Sequence, residues 1–189
     1  PGRNIRRSAV KLVRQAASGD LAAALEQAQQ HLALVQTEQA QAEAAAEFLE
    51  RWAQGAVTEA AIDPLSIGQI AELLAVTIDT LRHWERNGLL TVPRDPQNGY
   101  RRYRLVEINR LRVIRMLLRA GYSTMAVLRM LLQLDQGQRD GLREALDTPR
   151  PDEDILTASD RWLTTLADQQ ERARNMIAQL ETMIQKRQA

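Results

Sequence analysis

The stretch SIGQIAELLAVTIDTLRHWERNGLL, residues 66–90, decides the fold. Ser66 is placed to cap a short helix whose Ile67, Ile70, Ala71 and Leu74 fall on one face. After the Ala75-Val76 turn, Thr77 is placed to cap a second helix, IDTLRHWER. Two short helices joined by a tight turn read as a helix-turn-helix, a weak signal alone because many helical domains contain such a pair. The second helix ends at Asn87-Gly88 and carries Arg82, His83, Trp84 and Arg86 almost side by side. A solvated helix end has no need of a tryptophan, and a buried one does not favour two arginines.

The continuation, LLTVPRDPQNGYRRY, residues 89–103, makes the signal specific. Two prolines and Asn98-Gly99 predict a hairpin turn between short strands, with the Asn-Gly pair accepting positive φ angles. Basic and aromatic residues crowd its far side: Tyr100, Arg101, Arg102, Tyr103 and Arg104. A helix-turn-helix followed at once by a basic hairpin is a winged helix.

Charge points to the partner. The net charge of +1 conceals ten arginines between Arg82 and Arg119 against only Glu85, Asp95 and Glu107, so this segment is +7 and the rest of the chain −6. Segregation of this kind suits a polyanion. Every cation of the segment is arginine, whose planar fork matches phosphate or guanine. A solvated basic face is the competing explanation from charge alone.

Composition excludes other classes. With no cysteine in 189 residues, disulfides, thiolate metal sites and thiol redox sensing are ruled out. His31 and His83 lie far apart, and neither a Gly-rich phosphate loop nor a nucleophile motif is present, so neither an enzyme nor a cofactor or metal is expected. No apolar run reaches the roughly 18 residues of a membrane span, and no signal peptide is visible. A cytoplasmic protein is expected. The chain begins Pro-Gly, so the native N-terminus is open to question.

Outward from the core stretch, residues 1–54 read as helical, rich in Ala, Gln, Leu and Glu, broken at Ser18-Gly19-Asp20 with Asp20 as N-cap. Residues 55–65 form a linker ended by Pro64, and 66–134 the winged helix-turn-helix domain, with helices resuming over about 105–119 and 123–134. A connector at 135–151 leads to a long helix over 152–187, opening on Asp152-Glu153-Asp154. Leu163, Leu166, Gln170, Ala173, Ile177, Leu180 and Ile184 alternate steps of three and four, a coiled-coil dimerisation seam. An ordinary amphipathic helix is the alternative. Shifted back by 131 residues the seam falls on Leu32, Val35, Gln39, Ala42, Ala46, Leu49 and Ala53, again with Gln as the polar exception. Residues 1–54 could thus be a remnant of a duplicated copy, and helix 20–54 could pair with the C-terminal helix inside one chain. The expected fold is mostly α: a winged helix-turn-helix with a small β-hairpin wing, an N-terminal helical segment and a long C-terminal coiled-coil helix.

Residues 65–134 closely resemble the MerR family of bacterial transcription regulators. The resemblance rests on Ser66-Ile67-Gly68, the Thr-Leu-Arg-aromatic run at 80–84, and Gly88-Leu89-Leu90. It also rests on Asn98-Gly99-Tyr100-Arg101, Tyr103, and Gly121-Tyr122-Ser123. It implies a dimer on double-stranded DNA, bound to a near-palindromic promoter operator. Activation would follow from bending and untwisting an over-long spacer for RNA polymerase. Three departures limit the transfer. Ala75 stands where many members have Gly, so the turn is reached either without positive φ or at about 1 kcal/mol of strain. His83-Trp84 replaces the commoner Tyr-Tyr, and the cysteines of the metal- and redox-sensing branches are missing.

The second helix of such a head enters the major groove and the wing lies along the backbone. Thr77, Thr80 and His83 are candidates for its exposed side, with Thr77 equally explained as a cap. Arg82 is assigned to phosphate or guanine. Trp84 either fixes the helix in the core or lays its ring on deoxyribose, and the resemblance favours contact. Arg101 and Arg102 should clamp phosphates, although strand alternation puts them on opposite faces and could leave one as a brace. Asn98 and Gly99 serve the turn, while Tyr100 and Tyr103 are divided between packing and hydroxyl contacts. Phe48, Trp52 and Trp162 could line a pocket for a small-molecule effector, or simply end a helical core. A DNA architectural or recombination accessory protein with the same head is the alternative function. A helical scaffold whose arginines never meet DNA is a third.

Overall fold

The computed structural model describes residues 2–55, 63–149 and 158–188. Eight α-helices account for most of them: α1 (Arg3–Ala17), α2 (Leu21–Ala53), α3 (Ile67–Leu73), α4 (Ile78–Arg86), α5 (Leu105–Arg119), α6 (Thr124–Asp135), α7 (Leu142–Asp147) and α8 (Trp162–Gln188). A 3-10 turn at Ala158–Arg161 precedes α8. Most of the 55–65 linker and the acidic start expected at 152–154 lie outside the described residues.

Local chemistry sets the helix starts. Asp20 accepts from the Ala23 amide at the head of α2, and Thr77 accepts from Thr80 at the head of α4. Ser66 and Gln69 form a reciprocal capping box on α3. The described part of α8 takes its cap from another helix: the Asp147 carboxylate accepts from the amides of Leu163 (2.7 Å) and Thr164 (3.1 Å). Between α3 and α4 the turn is reached through strain, since Ala75 has φ +47°.

The head, α3 to α6, closes over Ile70, Leu81, Leu89, Ile108, Leu111 and Ile114, all with at most 1% of their surface exposed. The predicted β-hairpin is corrected. Among the described residues no strand forms, and the wing is held by two isolated antiparallel bridges, Arg94–Arg101 and Leu65–Tyr103. Pro93 has no N–H to give to Arg102, so the ladder cannot extend past the Arg94–Arg101 rung on that side. The turn is also wider than two residues. Asp95 N–H donates to Tyr100 O at 2.8 Å across a four-residue loop, in which Gly99 alone has positive φ (+73°). Asn98 instead turns its side chain back to accept from the Tyr100 amide at 2.9 Å.

The remaining helices form a stalk. Helix α2 runs antiparallel to both α1 and α8. At one end Arg187 of α8 donates to the Gly19 carbonyl (2.9 Å), and Leu12, Ala24, Ala28 and Leu180 close a small core. At the other end Trp162, Leu49 and Ala53 join the main core. Alanines at 24, 28, 42, 45, 46 and 53 let the backbones approach closely. Every residue of the predicted α8 seam is buried or half-buried within this single chain. Of the two pairings the sequence allowed, the one observed here is α8 with α2 of the same chain.

Candidate nucleic-acid interface

Head and stalk meet through directed polar contacts. The Tyr122 hydroxyl, at the turn into α6, donates to the Ala42 carbonyl of α2 at 3.1 Å, and the Trp162 indole donates to Ala120 O at 2.9 Å. Ser123, the N-cap of α6, hydrogen-bonds Asp160, while the buried Arg129 side chain binds the carbonyls of Leu146 and Asp160. These contacts tie the head to the foot of α8. Elsewhere on the head, α4 and the wing carry Arg82, Arg86, Arg94, Arg101 and Arg102.

On α4, Asp79, Arg82, His83 and Arg86 are exposed at i, i+3, i+4 and i+7, one stripe of the helix, while Leu81 and Trp84 face the core. Arg82 makes only a loose, solvent-exposed pair with Asp79 at 3.4 Å. The His83 ring lies 3.1 Å from the Asn87 amide nitrogen. Thr77 and Thr80 share a hydroxyl contact at 2.8 Å at the head of the helix. Arg86, noted in the sequence beside Arg82 and His83, was given no contact role there, although its spacing of four from Arg82 puts it on the same stripe.

Two of the aromatics considered for DNA contact are largely buried. Trp84 retains 6% of its surface, and its ring belongs to the core with Leu81, Leu89 and Tyr103. Tyr103 retains 1%, its backbone bridged to Leu65 and its phenol pushed to higher pKa mainly by burial. Both rings are part of the aromatic packing that holds α4 against the wing.

The wing arginines divide. Arg101 braces: its Nε donates to Glu85 of α4 at 2.7 Å. Arg102 points outward, half exposed, and pairs with Asp95 at 3.1 Å. The Asp95 carboxyl is held below its usual range by the Gln97 amide first and then by Arg102. Tyr100 is 74% exposed at the tip beside Asn98 and Gly99. Arg94 donates to Gly99 O across the same loop. Behind this face, Arg110 is structural, spanning from the Leu89 carbonyl to Asp135.

The three aromatics suggested for an effector differ in burial among the described residues. Trp162 is buried against Gly2, Trp52 packs on the core, and Phe48 is 40% exposed. None of them lines the 580 Å³ cleft between α2, α7 and α8, whose walls combine Glu43, Arg143 and Asp147 with Leu163 and Ala167. Among the described residues no group of His, Asp and Glu is placed to hold a metal ion, and no helix is long and apolar enough to cross a membrane.

Comparison with known proteins locates the same unit. The sequence model of the MerR HTH family regulatory proteins matches residues 65–134. The mercuric resistance operon regulatory protein of Serratia marcescens is 34% identical over 76 residues, covering 40% of this chain and 52% of that protein. The nodulation protein NolA of Bradyrhizobium elkanii is 39% identical over 57 residues, 30% of this chain and 26% of its own. The HTH-type transcriptional regulator CueR of Escherichia coli O157:H7 is 30% identical over 59 residues, 31% of this chain and 44% of its own. The chain thus spans about half the length of the mercuric resistance regulators it matches. No solved structure matches it. The matched residues are those that build α3 to α6 and the wing, and residues 65–134 are a helix-turn-helix domain of the MerR family.

Proposed function

We propose that this chain is a sequence-specific, DNA-binding transcription regulator of MerR type. The observation that carries the reading is the exposed stripe of Arg82, His83 and Arg86 on a short helix whose other face is locked in the core, flanked by the arginines of the wing. In this reading α4 lies in a major groove, with Thr77, Thr80, Arg82, His83 and Arg86 toward bases and phosphates. Arg101, Arg102 and the exposed Tyr100 follow the backbone. The operator is near-palindromic and lies in a promoter, and binding distorts it.

A palindrome needs two heads. The pairing of α8 with α2 supports a stalk closed inside the chain over a homodimer joined through α8. Footprinting of the full chain on its own upstream region tests the proposal. Protection of two half-sites about one helical turn apart, with reporter transcription changing in step, is the expected result. Protection with no transcriptional response would favour the architectural alternative, and no protection would refute the regulator reading.

A further inference from the structure

Between α4 and the wing lies a groove of about 420 Å³ lined by Asp79, Arg82, Glu85, Arg86 and Arg101. Three cations on so small a surface would repel one another and bind any polyanion indiscriminately. The two carboxylates temper that charge, and Glu85 does so from a defined place. Its side chain and that of Arg101 are each mostly covered, at 22% and 25% exposure, and Glu85 Oε2 accepts from Arg101 Nε at 2.7 Å. The residues are 16 apart in sequence and sit on different elements, so this bond sets the distance from recognition helix to wing.

The geometry of the bond leaves the guanidinium usable. A guanidinium carries five donors in a rigid plane, and holding Nε leaves the two Nη groups as a fork. Among the described residues the Arg101 Nη groups make no hydrogen bond with the protein, whereas Arg102 spends both Nε and one Nη on Asp95. Arg101 is therefore fixed in direction without being used up.

We propose that Glu85 is a positioning residue for DNA recognition. It aims the Arg101 fork at one backbone phosphate in register with the bases under α4, and its negative charge opposes any backbone that enters the groove out of register. This inference rests on the DNA-binding reading above. The pair acts on selectivity more than on total affinity: an unbraced Arg101 reaches any nearby phosphate, while a braced one meets only the phosphate that a correctly seated α4 presents.

The test is Glu85→Gln, which keeps the shape and removes the charge, beside Glu85→Asp, which keeps the charge. Affinity is measured across a salt series for the footprinted duplex and for a scrambled duplex of equal length. For Glu85→Gln the scrambled duplex should bind more tightly, with a salt slope steeper by about 0.9, or about 3.5-fold more loss over a fourfold rise in salt. The ratio of operator to scrambled affinity should fall by roughly tenfold, on the scale of one lost charged hydrogen bond. Glu85→Asp should recover part of that ratio. An unchanged ratio in a wild-type protein that does bind DNA overturns this inference alone. Equal losses on both duplexes, accompanied by a lower melting temperature, overturn it too by assigning Glu85 to stability. Absence of salt-dependent binding by the wild type would instead remove the DNA reading beneath it.

Discussion

Replacing Trp84 separates packing from contact at the centre of the recognition helix. The side chain is 6% exposed among Leu81, Leu89 and Tyr103. A tryptophan buries about 150–250 Å². At about 25 cal/mol per Å² of apolar area, that is roughly 4–6 kcal/mol of transfer free energy. Measured large-to-alanine changes in cores fall at about 3–5 kcal/mol. Since whole domains are stable by only about 5–15 kcal/mol, Trp84→Ala should leave the head near unfolding. Trp84→Phe retains most of the volume and should cost about 1–2 kcal/mol. Urea denaturation followed by circular dichroism gives the stabilities, and DNA affinity across a salt series gives the contact. The folded Trp84→Phe protein should match wild type in affinity and in salt slope. A Trp84→Phe protein of wild-type stability that binds its operator tenfold or more weakly would refute the core assignment.

Two further predictions concern the turn and the stalk. Ala75→Gly relieves a left-handed conformation worth about 1–2 kcal/mol at an exposed position. It also adds about 0.4–1 kcal/mol of unfolded-chain entropy. The net is a gain of roughly 0.5–1 kcal/mol, seen as a higher urea midpoint; a lower midpoint contradicts the assignment of strain. His31 is 1% exposed in the middle of α2, its Nδ1 has no partner, and burial lowers its pKa from 6.5. The folded state therefore favours the neutral ring, and below about pH 6.5 the unfolded chain takes up the proton first. The contribution of His31 is complete above that pH and is lost as pH falls toward the lowered folded value. His31→Leu should remove this part of the pH dependence; a variant whose melting temperature falls between about pH 8 and about pH 5 as much as the wild type's would show that other groups carry it.

Much of the head was legible because its signals are local. Capping by Ser66, Thr77 and Asp20 depends on a side chain and an amide two or three residues away, and each cap forms. The helical periods of α4 and α8 are equally local. The wing was misread for a reason also present in the chain: Asn98-Gly99 was weighed as a two-residue turn, while Pro93 denies the ladder its next donor and Pro96 falls within a wider turn.

What the chain determined by itself was thus where helices start and stop, which faces are apolar, and that arginine concentrates between 82 and 119. Which surface meets which was decided only in three dimensions. Periodicity shows that the α8 seam is apolar but is the same for a second copy as for α2, and the Tyr122–Ala42 bond that seats α2 joins residues 80 apart. The same holds at the site. Trp84, Arg101 and Arg102 are alike in sequence as candidates for DNA. Burial among the core residues assigns Trp84 to packing, and Glu85, placed by the fold 16 residues from Arg101, makes one arginine a brace while its neighbour stays half exposed. Contacts of that range depend on chain closure, which no local pattern records.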